Sequence, residues 1–278
     1  MSKRISDRSV EKANKLVGIP ADFTAAYLDK EKKKFLEAKE ELDRSRQELE
    51  MFFYMASHDL QEPLRMVASY TQLLAKRYRG MLDDDADDFI SYAVDGATRM
   101  QRLISNMLTY TRVDKKNKNE MIPTDCEYVL ISAKANLALV IEDSGAVITS
   151  DHMPVVMADD VQLIQVFQNL IGNAIKFRGD RTVEIHVSAE CKEGEWIFSV
   201  RDNGIGINDQ QKEQIFIMFM RAHDTKEYSG EGIGLAICEK IVQHHGGRIW
   251  VESESGKGST FYFSIPEGNE RNDYTDDH

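Results

Sequence analysis

The chain has 278 residues, 42% of them apolar, and a formal net charge of −12. That length has room for two domains or one large one, with enough apolar material for a packed core. The negative balance argues against a nucleic-acid partner, which calls for a basic face, and it reads most simply as a solvated surface.

No run of about 18 apolar residues occurs, so no membrane-spanning segment is expected. Met1 to Val10 is charged and lacks the apolar stretch of a signal peptide. Cys126, Cys191 and Cys238 are scattered and form no CxxC pair, so neither a disulfide framework nor a zinc site is indicated. A reduced, cytoplasmic compartment is expected, for a free protein or for the soluble part of a longer sensor.

Residues 1–27 carry no clear pattern and are left unassigned. From Leu28 the spacing sharpens: Leu28, Phe35, Leu42 and Leu49 recur every seven residues, with Ala38, Ser45 and Phe52 at companion positions. This is a heptad seam weakened by Glu31 and Ser45, and it predicts a coiled-coil helix over 28–50 leading into a parallel dimer. The alternative is one charged helix packed on its own domain. The helix is expected to continue through Met51–Arg79 and to break at Gly80. The acidic run Asp83–Asp88 suits the positive end of a following helix. Phe89, Ala93, Gly96, Met100, Leu103, Met107 and Tyr110 then form an apolar stripe. Two long helices with a short turn make a hairpin over 51–114. One hairpin has too little core, so two should pair as a dimeric four-helix bundle.

Residues 115–120 read as a polar linker, and 268–278 as a disordered acidic tail. Between them, 121–267 reads as an α/β domain with a largely antiparallel sheet. Helices are expected at Glu127–Ile141 and Val161–Phe177. Strands are expected at Val183–Ala189, Trp196–Val200, Arg248–Val251 and Thr260–Ile265.

Three segments of this second domain could do chemistry. Asn169, Asn173 and Lys176 are spaced four and three apart, on one face of a helix. An amide oxygen can ligate Mg²⁺ and a lysine can neutralise phosphate, although a plain polar outer face has the same pattern. Asp202-Asn203-Gly204-Ile205-Gly206 follows a strand. Its glycines allow positive φ and close approach to a ligand, and a carboxylate accepts from an amino group such as that of adenine. An ordinary glycine turn reads the same way. Gly230-Glu231-Gly232-Ile233-Gly234-Leu235 opens a helix running to about His245, where backbone N–H groups favour phosphate. No strand immediately precedes it, which speaks against a Rossmann site. Between the glycine clusters, Phe216 to Arg221 and the polar residues after it could form a lid.

The order of these segments resembles the nucleotide-binding boxes of the histidine kinase ATPase domain, whose fold is a Bergerat (GHKL-type) α/β sandwich. The likeness extends over roughly Phe35 to Pro266. Ser57-His58-Asp59-Leu60-Gln61-Glu62-Pro63-Leu64-Arg65 resembles the family's phosphoacceptor box. The heptad places Ala56 on the seam and His58 off it, facing solvent. Pro63 should kink the helix.

The resemblance implies ATP and Mg²⁺ as cofactors, His58 as the autophosphorylated residue and Asp59 as its general base. Adjacent helical residues do not face each other, so Asp59 is expected to act through orientation or water. The resemblance also implies Asn173 as the Mg²⁺ ligand, with Asn169 and Lys176 beside the phosphates. Asp202 would read adenine, with Gly204 and Gly206 in its loop and Thr260 helping. Gly230, Gly232, Gly234 and Leu235 would line the phosphate side, and Phe219 and Arg221 would belong to the lid. The implied partners are a second copy of the chain and the receiver domain of a separate response regulator. Members that also dephosphorylate their partner often carry Thr or Asn four residues after the histidine. Here Glu62 stands there, which predicts weak phosphatase activity. Competing readings are another ATPase of the superfamily, which would lack the His58 hairpin, and a scaffold without catalysis, which would not need an intact ATP site.

Overall fold

The computed structural model describes residues 21–113, 121–220 and 232–267. The expected linker 115–120 and tail 268–278 lie outside the described residues, as do positions 1–20 of the unassigned N-terminal segment. The chain divides into two units, Met1–Phe53 and Tyr54–His278. Among the described residues no helix is long and apolar enough to cross a membrane.

The first unit is helical from residue 21, as part of helix α1 (Ala21–Tyr78). Phe35, Leu42 and Leu49 of the heptad stripe are 70%, 69% and 54% exposed.

In the second unit α1 remains helical through Pro63 and stops two residues before Gly80, whose φ is +74°. The turn is held by Asp87, whose carboxylate accepts from the Gly80 N–H at 2.8 Å. Helix α2 (Asp84–Arg112) is capped by Asp83, which accepts from the Ala86 N–H. The acidic run is therefore a cap, a turn clamp and first-turn charges on the positive end of the dipole. On α1 the buried residues are Ser57, Leu64 and Ala68, and on α2 they are Ala97, Leu108 and Thr111. The expected stripe lies beside this set: Phe89 and Met100 are 69% and 47% exposed.

Beyond the hairpin come β1 (Ile122–Asp125), α3 (Cys126–Asn136), α4 (Ala138–Ser144), β2 (Val147–Ser150), β3 (Val155–Ala158) and α5 (Asp160–Lys176). Then follow β4 (Glu184–Lys192), β5 (Glu195–Asp202), a 3₁₀ turn at Gln214–Phe216, α6 (Gly234–His244), β6 (Ile249–Glu254) and β7 (Gly258–Pro266). The main sheet runs β2-β4-β5-β7-β6, antiparallel except for the β2–β4 pair. Strands β1 and β3 form a separate antiparallel ladder.

Two expectations are corrected. The helix expected over Glu127–Ile141 is two helices, because Leu137 (φ −102°, ψ 7°) leaves helical geometry and its N–H folds back to Lys134 and Ala135. Three four-residue strands, β1 to β3, were not expected; each is too short to show alternation. The core is set by Phe198 and Phe263, a direct β5–β7 pair stacked at 4.8 Å. Phe167 of α5 meets both edge-on, at 6.0 and 5.4 Å, the geometry that ring quadrupoles favour.

Candidate active site

The site's framework is α5. Its N-terminus is capped by Asp159, and Leu163, Val166, Phe167, Leu170 and Ile171 are buried against the sheet. That leaves Asn169, Asn173 and Lys176 half-buried on the remaining face. Asn169 donates its amide N–H to the Gly234 carbonyl at 3.2 Å, fixing α5 to the start of α6. Phe177, just past the helix, accepts from the Ile205 N–H at 3.0 Å. So α5 touches both glycine segments, and Asn173 lies on the helix between those two contacts. Lys176 places its ammonium 4.3 Å over the Phe177 ring.

Asp202 ends β5. One carboxylate oxygen, Oδ1, accepts from the Gly204 N–H at 2.8 Å and the Ser259 N–H at 3.2 Å. Burial raises the carboxyl above the usual aspartate range, and the two N–H donors partly offset that shift. Ser259 was not anticipated as a site residue, because a backbone N–H leaves no side-chain signature. Thr260 is half-buried and pairs with Arg201 and Glu252 on the face of the sheet away from α5, where it lines a cavity of about 490 Å³ with them and Tyr262, a cavity that Asp202 and Ser259 border.

Gly204, Gly206 and Gly232 come close to the backbone of their own chain, while Gly234 faces the Asn169 side chain. Gly206 has φ +71°, and a Cβ there would overlap the Glu254 carbonyl. The loop after Asp202 is thereby locked onto the β6–β7 turn, and the Gly256 N–H donates to the Ile205 carbonyl at 2.7 Å. Gly232 has φ +70° and presses on the Met220 carbonyl, while its own carbonyl accepts from the Phe219 N–H at 2.8 Å. Phe219 itself sits at φ +67°, a costly conformation for a bulky residue, and is half exposed. Arg221 and Gly230 lie outside the described residues.

Helix α6 begins at Gly234 with no side-chain cap, unlike α2, α3 and α5, which are each capped by an aspartate. Its first N–H groups are the kind of donors that suit phosphate oxygens. Leu235 is half-buried and packs on the core. Among the described residues no cluster of His, Cys, Asp or Glu is set to hold a metal. A divalent ion here would draw on the Asn173 amide oxygen, phosphate oxygens and water. That donor set fits Mg²⁺, which keeps waters and shares phosphates.

On α1, His58 and Asp59 are 73% and 81% exposed in their side chains. Nδ1 of His58 lies 3.2 Å from Asp59 Oδ1. Adjacent helical residues do not face each other, yet at this exposed position the carboxylate swings back to the preceding ring, a contact of the orienting kind expected of Asp59.

Comparison with known proteins fits this geometry. Residues 48–116 match the His Kinase A (phospho-acceptor) domain. Residues 158–269 match the family described as histidine kinase-, DNA gyrase B- and HSP90-like ATPase. The chain belongs to the histidine kinase family. Cyanobacterial phytochrome A of Nostoc sp. is 54% identical over 228 residues, which is 82% of this chain and 30% of that protein. Phytochrome-like protein Cph1 of Synechocystis sp. is also 54% identical over 228 residues, again 82% of this chain and 30% of the relative. Sensor protein kinase WalK of Staphylococcus aureus is 31% identical, covering 82% of this chain and 55% of the relative. The histidine kinase chain thus spans about 30% of the length of the first two relatives.

Two solved histidine kinases share the fold. Full-length ShkA in complex with AMPPNP has a TM-score of 0.61 at 24% identity, covering 78% of this chain and 45% of ShkA. ThkA in complex with the response regulator TrrA has a TM-score of 0.57 at 23% identity, covering 84% and 67%.

Proposed function

We propose that the chain is an ATP-dependent protein-histidine kinase that phosphorylates its own His58 and passes the phosphoryl group to an aspartate of a separate response regulator receiver domain. The observation that carries this is the His58–Asp59 pair at 3.2 Å on an exposed helix face, in a chain that also carries the ATPase domain. Donation of the Nδ1 proton to Asp59 leaves the Nε2 lone pair pointing away as the nucleophile. In the reaction Nε2 bonds to the γ-phosphorus, the bond from phosphorus to the bridging oxygen breaks, and ADP leaves with that electron pair. The Nδ1 proton moves to Asp59, so the phosphorylated ring ends neutral.

Asp202 would accept from the adenine amino group through Oδ2, since Oδ1 already takes two N–H donors. Asn173 would ligate Mg²⁺, which neutralises and orients the phosphates when bound. Lys176 and the N–H groups from Gly234 would face the phosphates, with Asn169 holding Gly234 in place. Gly204 and Gly206 would shape the adenine loop and Thr260 would flank it. Gly230, Gly232 and Leu235 would complete the phosphate side, with Phe219 and Arg221 in the lid.

The working unit would be a cytoplasmic homodimer. Its hairpin (51–114) would build a four-helix bundle, preceded by a coiled-coil helix (28–50) and joined by a linker (115–120) to the catalytic domain (121–267). The exposed Val67, Tyr70 and Leu74 on α1 and Phe89 and Met100 on α2 support such pairing. The test is labelling with γ-³²P-ATP, comparing wild type and His58→Gln. Acid-labile label lost in the variant is the expected result. ATP hydrolysis without protein labelling would favour another ATPase of the superfamily, and neither signal would favour a scaffold.

A further inference from the structure

The cavity beside His58 has a volume of about 660 Å³. His58, Asp59, Gln61, Glu62 and Arg65 reach it from α1, and Gln101 reaches it from α2. Its two carboxylates, Asp59 and Glu62, flank the histidine. A phosphoryl group on His58 adds close to two more negative charges and three strong acceptor oxygens to the same space. Like charges at that density repel unless a cation answers them. Among the described residues that line it, Arg65 is the one arginine or lysine.

Helix geometry brings Arg65 to the group. Seven residues are nearly two full turns, so Arg65 shares the His58 face about 10.5 Å further along the axis. Helical side chains lean toward the N-terminus, which directs the long arginine stem back toward His58. The guanidinium fork matches phosphate oxygens two at a time, and the Gln101 amide offers further donors from the opposite helix.

We propose that Arg65, assisted by Gln101, forms an anion subsite that holds the phosphoryl group once it is on His58. The proposal rests on the reading of His58 as the phosphorylated residue. It makes Arg65 a residue that favours the phosphorylated state and contributes nothing to nucleotide affinity.

The experiment uses the full chain as wild type, Arg65→Gln, Arg65→Lys and His58→Gln. Arg65→Gln is expected to bind ATP as wild type does, yet to reach a phosphorylated fraction lower by roughly tenfold at a fixed ATP-to-ADP ratio. Arg65→Lys should recover part of that loss. A ³¹P NMR titration of the phosphorylated protein should show the phosphoryl group titrating at higher pH in Arg65→Gln, because the cation that favours its dianion is gone. A merely structural role would not move that midpoint. Wild-type phosphorylation and an unmoved midpoint in Arg65→Gln would overturn the subsite. Label that persists in His58→Gln would instead overturn the underlying assignment of His58.

Discussion

His58 Nδ1 lies 3.2 Å from Asp59 Oδ1, and both side chains are open to solvent. In the proposed reaction this contact would favour the tautomer with its proton on Nδ1 and put a proton acceptor on the side away from Nε2. Asp59→Asn keeps a hydrogen-bonding oxygen of the same shape but cannot take the proton. Its autophosphorylation rate should fall by about 10²- to 10⁴-fold, the range of general base catalysis, with ATP affinity unchanged. Initial rates of label incorporation check this, and a rate within a few fold of wild type would rule Asp59 out as the base.

Asp202 separates stability from binding. Its Oδ1 accepts from two N–H groups, and burial raises its pKa. A carboxyl with a raised folded pKa gives stability only below its unfolded value and loses it as pH rises, so the ionised form at neutral pH is a cost to the fold. Asp202→Asn retains an acceptor at Oδ1 and turns the Oδ2 position into a donor. The apo protein should melt no lower than wild type at pH 7.5, while nucleotide affinity drops by roughly 30- to 150-fold, or about 2–3 kcal/mol. Calorimetry with and without ATP reads both. A lower apo Tm together with unchanged affinity would contradict the assignment.

The long features were readable from the amino-acid order because they repeat. The α5 periodicity exposes one polar face, and the hairpin turn announces itself through Gly80 and the aspartates after it. What stayed hidden has a local cause in each case. The spacing of Val129, Ala133, Leu137 and Ile141 runs on across Leu137, so a backbone break there leaves no trace in the pattern. Strands β1 to β3 have four residues each, too few for a period of two to register. Ser259 acts on Asp202 through its main chain. Gly206 signals close approach, yet its sequence cannot say that the neighbour is the Glu254 carbonyl.

Glu62 lines the cavity beside His58. A carboxylate there accepts but does not donate, and it repels a phosphorylated aspartate brought to the histidine. The protein should therefore remove phosphate from a phosphorylated receiver domain no faster, in the presence of ADP, than the receiver loses it alone. Glu62→Asn supplies a neutral amide and should raise that rate. Rapid dephosphorylation by wild type that is abolished in Glu62→Asn would refute this.

His245 links two helix ends. The Asp159 N–H donates to its Nε2 at 3.1 Å, so the proton sits on Nδ1, which donates to the Ile241 carbonyl at 2.8 Å. Burial lowers its pKa below the ordinary imidazole value and His244 adds to that; the Ile241 bond and Asp159 oppose it. A depressed folded pKa means that the unfolded chain takes up the proton first. The stabilisation is then complete above about pH 6.5, the ordinary histidine value, and is lost as pH falls through the folded value. Tm should decline from pH 7.5 to 5.5, and the decline should be shallower in His245→Gln. Parallel curves for the two proteins would show that other groups dominate.

Lys240 is 4% exposed, and its ammonium stands 4.2 Å over the ring of Tyr110, joining α6 to the end of the hairpin. Tyr110 also packs on the catalytic domain's core, as does Leu103. A desolvated cation over an aromatic face is worth about 2 kcal/mol, and losing the ring's apolar contacts adds to that. Tyr110→Phe keeps the face and should change Tm little. Tyr110→Ala should lower Tm by several degrees, at about 2–4 °C per kcal/mol for a chain of this size. It should also quicken protease cleavage near the end of α2, since the helix loses its anchor. Equal melting of the two variants would mean that the ring's contact with Lys240 contributes nothing to holding the hairpin end against α6.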